Sequence, residues 1–583
     1  MPKDQRMSPG LPSCFGRPLI LLLIFLLLAA CSPQAEPAET PSAEEPAGVE
    51  EPTEAEEPTE EPTEAEEPAE EPTEAEEPTE TEEPAAEEPA AEAGDRVLTI
   101  GMNELVTSLD PPTDWAIAAT WIHMNIFDCL VWRNRETAEF EPWLAESYEN
   151  IDDQTWRFQL REDVTFHNGE AFNADAVKWT YERIVADETM ITYNQWTFID
   201  EINVLGPYEV EIVTTAPEPA FLSKMSGTGC GIQAPEHGQE VGTEGVAEAP
   251  VGTGPFKFVE WVKDDHITLE ANEDYWQGAP EIDTIIWRAI PEASTRVANL
   301  LTGDVDLMIS VPSQDWDRVN ENSGTRVEEF LTTQVMLLAL RAGPSEPYAD
   351  WEGPTSDPLV REAISLAIDR QAIIDLIDGQ GVPVLSRVTP PTIGWDEQFY
   401  DQVGEYDPER ARELLTEAGY DGEELVFHSS TSWPHQQEVA EFIAAMLQEV
   451  GLNINLQVMD VTSFREQVYF PYQNEEIYMD ALGNSFFDPW IAVLSEQSDR
   501  LERSGWTGPN ADEADELIRA AAVEMDPEAR AEMYVRIQEL INEDVTYVFL
   551  YQMYDTVGMS DKIEWNPPLD GFLWLGNAQW QGD

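Results

Sequence analysis

The chain has 583 residues, of which 42% are hydrophobic and 10% aromatic. One hydrophobic core stops growing at roughly 250–300 residues, so at least two lobes are expected. The hydrophobic and aromatic content excludes disorder of the whole chain. The formal net charge of −87 argues against a nucleic-acid partner, because this surface would repel a polyanion. The one long apolar run, Leu19 to Leu28, is about half of the roughly 20 residues that a membrane-spanning helix needs, which excludes a multi-span membrane protein.

The first 31 residues are typical of a secretion signal: a basic start, the apolar stretch LILLLIFLLL and then small residues. The segment ends in LAAC, Leu28 to Cys31, and resembles the bacterial lipoprotein lipobox. The resemblance implies that Cys31 becomes the lipidated first residue of the mature protein. Acyl chains would anchor it, since each buried methylene contributes about 0.8 kcal/mol. The alternative is an ordinary cleaved signal with an incidental cysteine.

Residues 32–94 form a low-complexity segment. They contain 25 Glu and no Lys, Arg or Asp, and the repeat EEPTEAEEP begins at Glu50, Glu60 and Glu70. Glutamate with regularly spaced proline cannot bury a core, and like charges extend the chain, so we interpret the segment as a disordered tether. In a polyproline-like conformation it would reach about 195 Å. A specific acidic binding tail is the alternative.

The body, residues 95–583, is also strongly acidic. It carries 27 basic and 91 acidic residues, a net charge of −64, and the whole chain has only six lysines. Such a surface suits a protein bathed in high salt, where screening makes self-repulsion tolerable. An acidic surface kept only for solubility is the alternative.

Strand and helix signals alternate along the body, which implies α/β lobes with mixed sheets. The predicted strands are Val97–Met102, Thr155–Leu160, Val305–Ile309, Val335–Leu340, Asn453–Met459 and Thr546–Tyr551. The predicted helices are Trp121–Trp132, a helix capped by Asn173 and running through Ile184, Ser294–Leu301 with a stop at Gly303, a helix opened by Asp357-Pro358 and running to about Ile377, a helix between Asp407-Pro408 and Gly419, Gln436–Val450, Ala511–Met525 and Pro527–Asn542.

The two cysteines of the body are Cys129 and Cys230. Outside the cytoplasm such cysteines can pair, and closing a loop of about 100 residues would stabilise the fold by roughly 4–5 kcal/mol. The sequence leaves open whether the two lie within reach of each other.

Five sequence blocks occur in the order typical of one family. They are PWLAESYE (Pro142–Glu149), FQLREDVTFHNGEAFNADAVKW (Phe158–Trp179), GTGPFKFVEWVKDDHITLEANEDYW (Gly252–Trp276), VREAISLAIDR (Val360–Arg370) and YDPERARELLTEAGY (Tyr406–Tyr420). On these blocks the chain resembles the large extracytoplasmic solute-binding proteins of family 5, which serve peptide-, oligopeptide- and nickel-type ABC importers.

The resemblance implies an α/β fold of the two-lobe periplasmic-binding-protein type, in the large peptide-binding subclass of type II, with mixed sheets and an extra domain inserted in lobe one. The two crossings between the lobes are expected near Gln334–Leu338 and Thr546–Tyr554. The implied organisation is a signal and lipobox (1–31), the tether (32–94), lobe one in two parts (95–140 and 250–334) around the inserted domain (141–249), lobe two (335–544), and a second crossing that returns to lobe one (545–583).

The function that the resemblance implies is capture rather than chemistry. A peptide or similar small solute would be enclosed by closure of the lobes and delivered to the permease subunits of an ABC importer. The protein would be a monomer, anchored through Cys31 to the outer face of the cell membrane, on the periplasmic side where an outer membrane is present. An oligosaccharide receptor on the same scaffold is the alternative, and a secreted hydrolase is a third hypothesis.

In peptide-binding relatives, the stretch that corresponds to ALGNSFFDPW, residues 481–490, lines the pocket. Several relatives place an aspartate four residues before the proline to pair with the free amine of the peptide, whereas this chain has Ser485. Asp488 is expected to cap or turn the chain. The predicted ligand-contacting residues are Trp115, Trp433, Asn484, Ser485, Phe486, Trp490 and Tyr551. This set favours neutral or sugar-like ligands, whereas the family favours peptides.

Signatures of catalysis are missing from the sequence. The six histidines form no HExxH motif or Cys/His cluster, and neither a GxSxG elbow nor a phosphate-binding loop is present. We therefore predict no catalytic residue, metal site or cofactor. The glycine-rich segment 227–231 lacks dinucleotide-binding spacing and is interpreted as a flexible connection.

Overall fold

The computed structural model describes residues 96–582, apart from 115, 135–136, 345–349, 470–474, 485, 495–496, 498–504 and 569–570. Cys31, the signal-like segment and the Glu/Pro-rich segment lie outside the described residues, and so do Trp115 and Ser485. The described residues all belong to one unit, Glu88–Asp583. Within them, no helix is long and apolar enough to cross a membrane.

Strands and helices alternate along this unit. The strands are β1 (Val97–Met102), β2 (Val131–Arg133), β3 (Phe140–Pro142), β4 (Ala145–Asp152), β5 (Thr155–Leu160), β6 (Ile199–Gly206), β7 (Glu209–Thr214), β8 (Phe256–Val262), β9 (His266–Ala271), β10 (Thr284–Ala289), β11 (Leu307–Ile309), β12 (Thr325–Leu340), β13 (Gly381–Pro383), β14 (Glu424–Ser430), β15 (Asn453–Met459), β16 (Ile477–Leu482), β17 (Tyr547–Ser560), β18 (Ile563–Glu564) and β19 (Gln579–Trp580). The helices are α1 (Ile117–Ile126), α2 (Ala174–Val185), α3 (Tyr193–Trp196), α4 (Phe221–Met225), α5 (Pro235–Glu248), α6 (Ala293–Thr302), α7 (Trp316–Glu321), α8 (Pro358–Leu366), α9 (Arg370–Leu376), α10 (Pro408–Ala418), α11 (Gln436–Glu449), α12 (Val461–Phe464), α13 (Trp490–Leu494), α14 (Pro509–Ala521) and α15 (Pro527–Asp544).

The main sheet is mixed and has two halves. Its strand order is β15-β14-β16-β12-β17-β11-β1-β10-β9-β8, with β13 paired to β17. We refer to the half built on β13–β16 as the second lobe and to the half built on β1 and β8–β11 as the first lobe. The long antiparallel strands β12 and β17 run through both halves, and their register shifts between Leu331 and Val335. We refer to β12 and β17 as the crossing strands.

Each lobe has its own hydrophobic core. In the first lobe Ile100 and Trp287 are fully buried beneath the sheet. In the second lobe Leu338, Phe427 and Ile443 are fully buried between the sheet and its helices. Two separate cores in one chain fulfil the expectation that its length set.

A four-stranded antiparallel sheet, β4-β5-β7-β6, forms a third body around a separate core. We refer to β2–β7 with α2–α5 as the inserted domain. Its core includes Leu130 and Val131, which lie upstream of the predicted start at residue 141. Cys129 and Cys230 form a disulfide at the edge of this core, with their Cα atoms 5.3 Å apart.

Local signals set several helix ends as predicted. Asn173 accepts a hydrogen bond from the Ala176 amide and so begins α2, and the Asp407 side chain caps α10 by accepting from the Arg410 amide. Gly303 and Gly419 end their helices in the left-handed conformation. In these places the cap residue decides the boundary, because it satisfies backbone groups that the helix itself leaves unpaired.

Several predicted elements have different limits in the structure; among them, β12 begins at Thr325 rather than Val335, and α14 ends at Ala521 rather than Met525. The helix predicted at Trp121–Trp132 is α1, which ends at Ile126, because the chain then extends into β2 and pairs with β3. The helix predicted from Asp357 to about Ile377 is two helices, since the Asp369 side chain accepts from the Ala372 amide and begins α9. The last predicted strand runs on to Ser560, because β12 offers a partner along its whole length.

Candidate functional site

A turn at the end of β16 carries several of the predicted ligand-contacting residues. We refer to residues 483–490 as the 483–490 turn; it connects β16 to α13. Phe487 has a φ of 49°, a left-handed conformation that is uncommon for a residue with a Cβ. Its amide donates to the Asn484 carbonyl at 3.1 Å. Such a backbone is held only where the surroundings determine it strongly.

The turn is fixed from behind by an ion pair within the second lobe. Both oxygens of the Asp488 carboxylate accept from the Arg530 guanidinium, at 2.5 and 2.7 Å, and both side chains are buried. Asp488 also accepts from the Trp490 amide at 3.1 Å, which closes a turn directly before α13. The prediction that Asp488 caps or turns the chain is confirmed, and its charge is committed to Arg530.

Arg133 of β2 approaches the front of the turn from the inserted domain. Its Nη1 donates to the Phe486 carbonyl, and its guanidinium carbon lies 4.4 Å from the centre of the Phe487 ring. The side chain is fully buried, and this burial lowers the pKa of Arg133 to about 9, while the nearby Asp488 carboxylate acts to raise it. A desolvated cation thus joins two bodies of the protein.

A second contact joins the turn to the glycine-rich segment of the inserted domain. A Cβ placed on Gly227 would lie 2.6 Å from the Phe486 ring, so only glycine lets that ring approach the backbone so closely. Beside it, the Lys224 ammonium lies 4.7 Å from the centre of the Trp490 ring and 2.7 Å from the Glu218 carboxylate. The segment interpreted from the sequence as a flexible connection is therefore a packed surface against the second lobe.

Asn484 is the most informative side chain of the turn. Only 2% of it is exposed, and neither Nδ2 nor Oδ1 has a hydrogen-bond partner among the residues that the structure describes. Within that same part of the chain, the indole Nε1 of Trp490 is also buried without a partner. A buried polar group left unpaired costs about 1–3 kcal/mol, so native structures seldom keep one without a reason. An amide with both a donor and an acceptor to offer is therefore present within two residues of Phe486.

A cavity of about 320 Å³ opens between the inserted domain and the second lobe next to this turn. It is lined by Arg133, Thr137, Ala138, Glu139, Phe140, Pro219, Ser223, Pro391, Ile393, Phe487, Asp488, Glu524, Met525, Pro527 and Arg530. Ligand pockets span roughly 300–1,000 Å³, so this one is at the small end of that range.

The structure does not bring all the predicted site residues together. Asn484, Phe486 and Trp490 share the turn, whereas Trp115 and Ser485 lie outside the described residues. Trp433 packs on the second-lobe core and donates from Nε1 to Asp480 at 2.8 Å. Tyr551 is buried in the same core, where its ring lies against Gly381.

Sequence reasoning did not single out Arg133 or Lys224, and it interpreted the segment that contains Gly227 as a flexible connection. The scarcity of lysine was the one available signal for Lys224, because a basic residue that persists in so acidic a chain suggests a specific contact. The approach of Arg133 has no local signal, since its partner Phe486 is 353 residues away in the chain. Within the described residues, no group of three or more His, Cys, Asp and Glu side chains could hold a metal ion.

Comparison with known proteins shows the same architecture. The family model described as bacterial extracellular solute-binding proteins, family 5 Middle, matches residues 139–495. The glutathione-binding protein GsiB of Salmonella typhi is 27% identical over 475 residues, which cover 79% of this chain and 89% of that protein.

Among solved structures, the periplasmic binding protein DppA from Helicobacter pylori, in complex with the peptide STSA, has a TM-score of 0.69 at 24% identity and covers 83% of this chain and 98% of its own. The substrate-binding protein CtaP from Listeria monocytogenes has a TM-score of 0.74 at 20% identity, with 84% and 100% covered. The predicted two-lobe, peptide-binding type of fold is confirmed.

Proposed function

The chain belongs to the bacterial extracellular solute-binding proteins of family 5, and we propose that it captures a small peptide or peptide-like solute between its lobes for delivery to an ABC importer. In this proposal the ligand lies beside the 483–490 turn, where the inserted domain and the second lobe meet. Binding involves no covalent chemistry: the ligand stabilises the closed lobes by its higher affinity for them.

The observation that carries the proposal is the unpaired amide of Asn484. Its donor and acceptor match the acceptor and donor of a peptide group, which a ligand can present together. Ser485 follows it directly in the sequence, and Phe486 and Trp490 complete the proposed contacting set on this turn. Trp115, which lies outside the described residues, remains a proposed ligand contact. The names of the relatives agree with this ligand class, since GsiB is a glutathione-binding protein and DppA was solved with a peptide.

An oligosaccharide is less well supported than a peptide. Sugar rings are bound by stacking on open aromatic faces. The described aromatic rings of the turn are already in contact: Phe486 with Gly227, Phe487 with Arg133 and Trp490 with Lys224. The cavity of about 320 Å³ that Phe487 lines is also small for an extended chain of sugars.

Among its described residues, the 483–490 turn offers no unpaired carboxylate that could bind the free amine of a peptide. Asp488 is bound to Arg530, and position 485, where several relatives have an aspartate, is a serine. A buried ammonium without a charged partner is unfavourable. We therefore propose that recognition rests on peptide groups and side chains rather than on an amine–carboxylate pair at the turn.

The attachment of the protein to the membrane is part of the same proposal. Lipidation of Cys31 would anchor a monomer to the outer face of the cell membrane, and the acidic tether would hold the lobes away from that surface. The long strands β12 and β17 would bend as the lobes close. The closed protein would then deliver the ligand to the permease. In this proposal the lipid on Cys31 is sufficient for attachment, and no other part of the chain has to contact the membrane.

Ligand identification tests the proposed function directly. The full-length lipoprotein, purified in detergent, is analysed by native mass spectrometry for retained solute, and is then titrated calorimetrically with glutathione, a tripeptide mixture and a set of cello- and manno-oligosaccharides. The expected result is heat with one or both of the peptide samples and no heat with the sugars. Binding of sugars alone, or the appearance of a cleaved product, would overturn the proposal.

A further inference from the structure

Two cations of the inserted domain hold the 483–490 turn of the second lobe. Arg133 contacts the Phe486 carbonyl and the Phe487 ring, and Lys224 contacts the Trp490 ring. We refer to Arg133 and Lys224, with Phe486, Phe487 and Trp490, as the clasp. Its two halves belong to bodies that the described chain joins through β12, β17 and the first lobe.

Burial of the Arg133 side chain is favourable only when its hydrogen-bond and ring partners are in place. Its guanidinium is fully removed from water, which is unfavourable unless carbonyl and ring partners replace the lost hydration. Those replacements come from the second lobe, since Phe486 and Phe487 both lie on the turn. When the lobes separate, the guanidinium regains water and the contact disappears as a unit. The contact with Phe486 and Phe487 is therefore favoured over any arrangement that buries Arg133 without these partners.

Lys224 is held in position by its own domain. Its ammonium forms an ion pair with Glu218 at 2.7 Å and lies 4.6 Å from the centre of the Phe198 ring, both in the inserted domain. Trp490 lies on its remaining side, 4.7 Å away. A lysine fixed in this way loses little side-chain entropy when the second lobe arrives, so the contact is prepared before closure.

Arg133 and Lys224 of the clasp contact the same turn that carries Asn484. The Phe487 amide donates to the Asn484 carbonyl, and Phe487 keeps a left-handed backbone. Any ligand that binds the Asn484 side chain therefore orders the residue whose backbone positions the Phe486 carbonyl and the Phe487 ring.

We propose that Arg133 and Lys224 form a cation–aromatic clasp that holds the inserted domain on the second lobe, and that occupancy of the site at Asn484 strengthens it. The first part stands on the contacts alone, and the second part rests on the proposed function. Because ring faces and a buried carbonyl are screened less than exposed ion pairs, the clasp keeps its hold at high ionic strength.

Hydrogen exchange measured by mass spectrometry on the full-length protein tests the clasp without any ligand. The Arg133→Met and Lys224→Met variants should exchange residues 483–490 and 130–134 faster than the wild type, by about tenfold for Arg133→Met. Arg161→Met is the matched control, because Arg161 stacks on the Trp276 ring at 4.3 Å without touching the second lobe. The control should leave exchange at 483–490 unchanged.

Unchanged exchange at 483–490 in both Arg133→Met and Lys224→Met would overturn the clasp. If Arg133→Met lowers protection throughout the protein, Lys224→Met and Arg133→Lys decide the matter, since they disturb the core less. A rise confined to the two contact segments in either variant supports the clasp, and an equal rise at all segments contradicts it.

A second arm of the same experiment adds glutathione or the tripeptide mixture as the probe. The probe should slow exchange at 483–490 in the wild type and less so in Arg133→Met. Equal protection in both proteins would overturn the coupling to ligand while the ligand-free arm still decides the clasp. Failure of both probes to protect any segment of the wild type would contradict the proposed function and the coupling, but not the contacts measured without ligand.

Discussion

The guanidinium of Arg530 binds both carboxylate oxygens of Asp488, at 2.5 and 2.7 Å, and the pair is buried directly behind the turn that Arg133 contacts from the front. Arg530 also donates to the Tyr534 hydroxyl at 2.7 Å and to the Ala521 carbonyl at 2.9 Å. The turn is thus tied to α15 by one fully satisfied ion pair. This arrangement explains why Asp488 is not available to bind a ligand amine.

Breaking this pair on one side should destabilise the protein strongly. In Arg530→Met the Asp488 carboxylate is left buried and uncompensated, which typically costs about 3–5 kcal/mol. The control is Arg536→Met on the same helix, because Arg536 pairs with Glu513, Glu539 and Glu543 at a partly exposed position and its loss should cost less than about 1 kcal/mol. Denaturant unfolding measures both, and equal losses would contradict the assignment.

Replacing Asn484 should affect stability and binding in opposite directions. Asn484→Leu removes an unpaired buried amide, so the ligand-free protein should gain stability by about 1 kcal/mol or lose none, while affinity for glutathione or tripeptides falls at least tenfold. The measurements are thermal unfolding and calorimetric titration.

Asn125 provides the control for Asn484, because its amide is fully used. Nδ2 donates to the Trp121 and Leu573 carbonyls, and Oδ1 accepts from the Leu575 amide. Asn125→Leu should therefore destabilise the protein by several times the ordinary hydrogen-bond contribution of about 1 kcal/mol. A destabilising Asn484→Leu with unchanged affinity would show that Asn484 has a structural role only.

Blocking the amine of a peptide ligand should change its affinity little. Since Asp488 is bound to Arg530 and position 485 is a serine, an N-acetylated tripeptide should bind within about tenfold of the free one, a difference of about 1.4 kcal/mol or less. Competition titration compares the two. A loss of several hundredfold on acetylation would mean that a carboxylate elsewhere in the site binds the amine.

Removing the disulfide should destabilise the inserted domain. Cys129 and Cys230 are separated by 101 residues, and a bridge across a loop of that length contributes roughly 4–5 kcal/mol in the chain-entropy account. The Cys129→Ala, Cys230→Ala double variant should therefore unfold at a lower temperature than the wild type under oxidising conditions. The two proteins should unfold alike in a strong reductant; a persistent difference would point to packing rather than to the bridge.

His123 should make the protein less stable in mild acid. Its Nε2 contacts the Ser108 carbonyl at 3.2 Å, and burial lowers its pKa from 6.5 to about 4. Between these values the unfolded chain binds a proton that the folded protein does not, so stability falls as the pH drops from about 6.5 to 4, by up to roughly 3 kcal/mol.

The His123→Gln variant isolates this contribution. Glutamine keeps a hydrogen-bonding group and cannot titrate, so the difference in unfolding free energy between wild type and variant should shrink as the pH falls through that window. His266 is a suitable comparison, because its pKa is shifted in the opposite direction to that of His123: it lies beside Asp265 and Glu260, and its pKa is raised. A wild-type-minus-variant difference that stays constant with pH would contradict the assignment to His123.

The sequence by itself determined the features that depend on neighbouring residues. The Asn173 and Asp407 caps and the Gly419 stop act on backbone groups within one turn of the helix, so their roles could be predicted from a short stretch. The same holds for Asp488, whose side chain accepts from the Trp490 amide two residues away and so turns the chain. The five family blocks likewise predicted the two-lobe fold, because each block is one contiguous stretch that can be recognised without knowledge of the tertiary structure.

Only the tertiary structure decided what meets across the lobes. Arg133 and Phe486 are 353 residues apart, and no local pattern marks either as the partner of the other. Aromatic residues fill cores and line pockets with the same side chains, so the sequence could not separate Phe486 and Trp490, which lie in the turn, from Trp433 and Tyr551, which pack in the second-lobe core. Nor could it show that the Asn484 amide is buried without a partner, because solvation depends on how the whole chain packs around it.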